Sequence, residues 1–234
     1  MKKTAYIIIA LCLAIVIFAA IYLSRTVNTV SLTIEGFTPI RDSSLAKKFT
    51  PVFISNSEFG MPREILYRAS VDEQGHTYIA YHPVWDYERN STPGLVPFLS
   101  RILYTGGLHI QRIMFGEADI EVVGIKLNSR KSIMEIRYER PKSYDPQNFV
   151  VAHEPVVLTG SFQPPLMFRV VSWNHLFEFI PAGKRSEDET AHALQLEPEY
   201  FTGELWEKYT MVKVHETRLR KCRAHFPWER EYIE

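Results

Sequence analysis

Nineteen consecutive residues without a charge, Ala5–Leu23, constrain this chain more than anything after them. Lys2 and Lys3 precede the stretch and Arg25 follows it. As a helix rising about 1.5 Å per residue it would span roughly 28 Å, close to the hydrocarbon thickness of a bilayer. Eleven of the nineteen are Ile, Leu, Val or Phe, each worth about 0.3–0.6 kcal/mol near a helix centre, so insertion is expected to be favourable. The segment predicts a single transmembrane helix and delivers the remaining 211 residues to one side of a membrane.

Which side follows from charge. Two lysines and the terminal amine stand before the span and one arginine after it, and flanking positive charge stays in the cytoplasm. The C-terminal part is therefore expected to be extracytoplasmic, periplasmic in a Gram-negative cell. The stretch is longer than the apolar core of a cleaved signal, and Phe18–Ser24, FAAIYLS, puts large residues where a cleavage site needs small ones. An uncleaved signal anchor is the reading. Leu11 before Cys12 argues against a lipid-modified cysteine.

From Ser24 onward the chain carries 25 basic against 27 acidic residues. That balance argues against nucleic acid as a partner, which calls for an excess of Lys and Arg. The whole chain is 46% hydrophobic and 13% aromatic, enough for the exported part to bury a core of its own. Cys222 is its sole cysteine, so no internal disulfide supports it.

Strand signals dominate the middle of the chain. Val27–Ile34, Pro51–Ile54, Glu64–Val71 and His76–Trp85 are β-like runs. Pro83 interrupts the last, which a central strand is not expected to tolerate. Asp72–Gly75 reads as a hairpin turn. Leu108–Phe115, Asp119–Leu127 and Ser132–Glu139 suggest an antiparallel meander, the third strand alternating Met134, Ile136 and Tyr138 against Glu135, Arg137 and Glu139. Further strands are expected between Phe149 and Phe179. Arg41–Lys48 and Phe98–Tyr104 suit short helices, and Pro198–Val212 spaces Phe201, Leu205, Trp206 and Tyr209 as a packed amphipathic helix.

The fold class expected is mostly β, a sandwich or a strongly bent antiparallel sheet, with a C-terminal helical element. Residues 1–4 form a short cytoplasmic N-terminus and 5–23 the anchor. Residues 24–185 form a β-rich extracytoplasmic domain, and 186–234 a helical element packed on it.

Familiar catalytic signatures are missing: there is no G-x-S-x-G elbow, Gly-rich phosphate loop or paired C-x-x-C. His153–Glu154 and His215–Glu216 lack the second histidine of a zinc-protease helix. One constellation remains. Asp119 and Glu121, two apart on a strand, share a face with Val123, Ile125 and Leu127, and carboxylates at the end of an interior row need a cation or donors beside them. A divalent metal shared among His82, Asp86, Asp119 and Glu121, with Glu88 nearby, is one reading. A structural ion pair to Arg112, Arg137 or Arg169 is the other. Ser172–Phe177, SWNHLF, read as a strand, places Trp173, His175 and Phe177 on one face, making His175 and Trp173 further candidates. His109 and His153 lie near strand ends.

Gly116–Glu121, GEADIE, is similar over six residues to the acidic strand of the β-sandwich family of necrosis-inducing toxins, where a Gly-x-x-x-Asp-x-Glu arrangement lies near a metal. Here Asp119 follows Gly116 one residue early, and the family's motif histidines are missing, so no site is transferred. The functional expectation is an envelope binding or scaffold module, tethered through 5–23, whose C-terminal helix or aromatic surface meets another envelope protein. A metal-assisted hydrolase built on Asp119 and Glu121 is the alternative.

Overall fold

The computed structural model describes residues 2–23, 25, 35–104, 118–185 and 193–209. The expected strands Val27–Ile34 and Leu108–Phe115, with His109, Arg112 and Cys222, lie outside these residues, as does most of the C-terminal element.

Helix α1, Lys2–Leu23, runs through the apolar stretch. Its large side chains are exposed on every side, from Tyr6 to Phe18. Among the described residues no helix is long and apolar enough to cross a membrane.

The rest is mostly antiparallel sheet with a few short helices. The larger sheet comprises β1 (Phe37–Ile40), β3 (Glu64–Asp72), β4 (Thr77–Trp85), β6 (Val123–Leu127), β7 (Ile133–Pro141) and β8 (His153–Phe162), in that order. Two short strands complete it: β5 (Asp119–Ile120) pairs with β4, and β11 (Pro198–Tyr200) runs parallel to β3. Among the described residues the sheet does not close into a barrel. A three-stranded sheet orders β10 (Phe177–Ile180), β9 (Met167–Val170) and β2 (Val52–Ile54).

Residues from both sheets enter one buried cluster. Tyr67, Ile79, Tyr81, Trp85, Ile125 and Ile136 come from the larger, Phe53, Phe168 and Phe177 from the smaller. Helix α2 (Ser43–Phe49), capped by Asp42 through the Leu45 amide, adds Ala46 and Phe49. A second cluster lies around Leu66, Ala80 and Val84, where β11 leads into a short helix, α4 (Gly203–Lys208). Trp206 of α4 is 2% exposed and lies against the Arg68 guanidinium, 3.6 Å from its ring centre, while Arg68 Nε donates to the Phe201 carbonyl at 3.1 Å.

Several expectations are corrected. Pro83 sits inside a fully buried central strand. It is tolerated because the neighbouring strand is interrupted opposite it: β6 pairs β4 as far as Tyr81, β5 resumes at Val84, and the Glu121 amide between them donates to the Pro83 carbonyl at 3.3 Å. Asp119–Leu127 is thus two strands rather than one. A register shift between Ile133 and Glu135 turns Met134 outward and puts Ile133 beside Ile136 and Tyr138 in the core. Pro198–Tyr200 is strand rather than helix. Ser172–Leu176 is a tight turn between β9 and β10, closed by His175 N–Ser172 O and Val171 N–Leu176 O bonds of 3.0 and 2.9 Å. Ser and Asn are turn formers that bond their own backbone, and here they override the β-like aromatic pattern. Finally, Trp206 of α4 is a core residue rather than an exposed one.

Candidate functional site

Four chain segments meet at one end of the larger sheet: β5 with the Glu121–Val122 gap, the end of β7, the start of β8, and the Ser172–Leu176 turn. The gap lets Asp119 and Glu121 serve different partners. Asp119 Oδ2 lies 2.5 Å from His175 Nδ1, and both residues are buried. His175 stands at φ +58°, in the left-handed region that histidine enters more readily than most side chains. This backbone turn aims its ring inward, where it stacks on Trp85 with ring centres 4.4 Å apart and planes 7° from parallel.

The other ring nitrogen fixes the proton count. His175 Nε2 is 3.0 Å from the Phe59 carbonyl, which only accepts, so Nε2 carries hydrogen. Nδ1 and Asp119 then share a second one. The pair holds a proton in the interior and pins the Phe59 loop to β5 and the turn. Beside it, the Tyr144 phenol is pushed up to about 12, first by burial and then by the charge of Glu58.

Glu121 turns to a second group. One ligand atom each from Glu121, Glu139 and His153 falls within 4.8 Å of the others. Both carboxylates are buried, Glu121 at 2% and Glu139 at 1% exposure. Antiparallel pairing of β7 with β8 sets Pro141 opposite His153, which brings the imidazole Nδ1 to 2.5 Å from Glu139 Oε2. Its Nε2 is 3.1 Å from Asn174 Nδ2, and Asn174 Oδ1 accepts from Ser172 Oγ at 2.7 Å. An amide N–H on Nε2 makes it an acceptor, so the hydrogen of a neutral His153 lies on Nδ1 and points at Glu139.

Two carboxylates and an imidazole are a donor set for a divalent cation. Metal bonds of about 2.0–2.2 Å place neighbouring ligand atoms roughly 3–3.5 Å apart, between the 2.5 Å hydrogen bond and the 4.8 Å outer limit seen here. Small side-chain shifts suffice. A cation there would replace the Nδ1 hydrogen, and a turn of the Asn174 amide would offer Oδ1 to the hydrogen that moves to Nε2, the usual outer support of a metal-bound histidine.

The sequence candidates therefore divide. Asp119 meets His175, and Glu121 meets His153; Glu139 completes the second group. His82 is fully buried elsewhere, between the rings of Phe201 and Trp206 at 5.1 and 5.9 Å. Asp86 is exposed and paired with Arg63, and Glu88 is half-buried in the loop after β4. The metal set His82, Asp86, Asp119, Glu121 is not brought together, because Asp86 points to solvent and His82 lies on the strand face opposite Trp85. Trp173 packs with Val151 and Leu176 as core. Arg137 reaches Glu135, and Arg169 reaches Glu178; the partner of Asp119 is a histidine.

Glu139 was not singled out by the sequence, since it continues the solvent-facing row of Glu135 and Arg137. Nothing in the local pattern marks it; only the pairing with β8 does. No protein-family model, curated protein or solved structure matches the chain.

Proposed function

We propose that this is a single-pass, membrane-tethered binding module, a two-sheet sandwich held outside the cytoplasm, whose functional centre takes a divalent cation at Glu121, Glu139 and His153. The observation that carries the cation is the approach of two buried carboxylates and an imidazole to within 4.8 Å. Burying two carboxylates side by side costs several kcal/mol each unless cations or donors offset it, and a divalent ion offsets both at once. The tether rests on α1, whose apolar side chains are exposed all round: a helix apolar on every face belongs in a core or in lipid. Lys2 and Lys3 against Arg25 support the outward orientation.

Elemental analysis of the full chain, extracted in mild detergent without chelators, tests the centre. One divalent metal per chain is expected, lost in Glu121→Gln and Glu139→Gln; substoichiometric metal unchanged by both variants refutes it. A second reading, metal-assisted hydrolysis, is favoured by one feature. The His153 side chain is 25% exposed, so solvent reaches a centre that has three protein ligands among the described residues, the arrangement that leaves room for an activated water. Metal-dependent turnover of ester or phosphoester surrogates, abolished by Glu139→Gln, would select it; bound metal without turnover selects the binding module.

A further inference from the structure

Helix α3 (Leu95–Tyr104) is mounted inside out. Leu95, Phe98 and Leu99 follow the three- and four-residue spacing of one helical face, with Val96 beside them, and they are 73, 50, 42 and, for Val96, 39% exposed. The inward side carries Pro97 and Ser100, both buried, together with Arg101. Arg101 Nη1 donates to the Asn90 and Thr92 carbonyls at 2.6 and 2.9 Å, and Asn90 Nδ2 in turn donates to the Pro146 carbonyl at 2.7 Å. A helix on a globular domain ordinarily turns its apolar stripe to the core and its polar side to water. Here polar bonds hold the helix to the body and the apolar stripe faces away.

We infer that α3 is a second membrane contact: it lies in the bilayer interface with Leu95, Phe98 and Leu99 among the lipid chains. This rests on the tether proposed above. Two further observations favour lipid over a protein partner. Eleven residues separate Leu23 from Glu35, and at about 3.3–3.6 Å per extended residue they keep the domain within roughly 40 Å of the end of α1. Lipid is then the apolar phase always within reach of α3, at the high effective concentration a short link provides. Charge agrees. Residues 94–104 contain no Asp or Glu, so immersing the helix desolvates no carboxylate of its own. An exposed apolar helical face that carries no acidic residue can enter the bilayer interface without that penalty.

The test uses the full chain in vesicles of phosphatidylcholine and phosphatidylglycerol, in a Cys12→Ser, Cys222→Ser background. Environment-sensitive fluorophores are placed singly through Phe98→Cys, through Ile15→Cys in α1, and through Glu73→Cys in the exposed β3–β4 turn. Lipid-borne nitroxide should quench positions 98 and 15, with aqueous iodide quenching position 98 at least about threefold less than position 73, as expected of a side chain at acyl depth. Leu95→Ser combined with Leu99→Ser alters exposed side chains only, and should raise iodide quenching at position 98 towards that at 73. Iodide quenching at 98 equal to that at 73, with position 15 still quenched by lipid, overturns the α3 contact, leaves the tether standing and makes a protein the occupant of this face. Iodide quenching at both 98 and 15 overturns the contact together with the tether.

Discussion

Replacing His175 by leucine and, separately, Asp119 by asparagine should have sharply unequal consequences, because the two changes treat the shared proton differently. Leucine removes the only described partner of the Asp119 carboxylate and leaves the Phe59 carbonyl without its donor. Breaking one side of a buried pair costs about 3–5 kcal/mol, and losing the stack on Trp85 adds about 0.5–1.5 kcal/mol. His175→Leu should therefore destabilise the domain by about 4–6 kcal/mol, a large part of the 5–15 kcal/mol typical of a folded domain. Asparagine at 119 keeps both bonds: its amide donates to Nδ1 of a neutral imidazole while Nε2–H still donates to Phe59. Only the charge-assisted part is lost, about 1 kcal/mol from the difference between charged and neutral hydrogen bonds. Urea unfolding of the full chain in mild detergent, followed by tryptophan fluorescence, measures both. Equal losses for the two variants would refute the proton count, and a loss under about 1 kcal/mol for His175→Leu would refute the structural role of the pair.

Trp206→Ala should cost about 3–5 kcal/mol as a large-to-small change at a site 2% exposed; an unchanged urea midpoint would contradict the burial of this side chain. In the β3–β4 turn, burial acts to raise the Asp72 carboxyl, but bonds from the His76 ring, the Tyr78 hydroxyl and the His76 amide outweigh it and hold its pKa below the usual carboxylate value. A depressed folded pKa contributes stability above the unfolded value near 4 and loses it as pH falls through the folded value. Asp72→Asn should therefore be less stable than the parent at pH 7, the gap closing below about pH 4; a gap that stays constant from pH 7 to pH 3 in urea titrations would contradict this.

Much of the fold is legible in the residues, and the misses have definite causes. The hairpin at Asp72–Gly75 and the short helices at 43–49 and 95–104 follow from turn chemistry and spacing that act within a few residues. Pro83 misled because its tolerance depends on a gap in a different strand. Met134 misled because a bulge changes which residues face inward, and bulges leave no mark on alternation. The Ser172–Leu176 turn carries turn formers whose signal the aromatics Trp173 and Phe177 masked. For the site, the carboxylates Asp119 and Glu121 stand out as charges in an apolar row, and His175 and His153 as histidines near strand ends. Which histidine meets which carboxylate is decided by β7–β8 register and by the turn, both products of long-range pairing. Glu139 is recoverable only from that register.

The central claim is that Glu121, Glu139 and His153 form one cation site, and anomalous diffraction from crystals of the full chain soaked in Mn²⁺ or Zn²⁺ tests it most directly. The account predicts a single strong anomalous peak within about 2.0–2.2 Å of a carboxylate oxygen from each glutamate and a ring nitrogen of His153, with the Nδ1–Glu139 hydrogen bond opened. That hydrogen bond intact at 2.5 Å in metal-soaked crystals, with the anomalous signal elsewhere or missing, would contradict it.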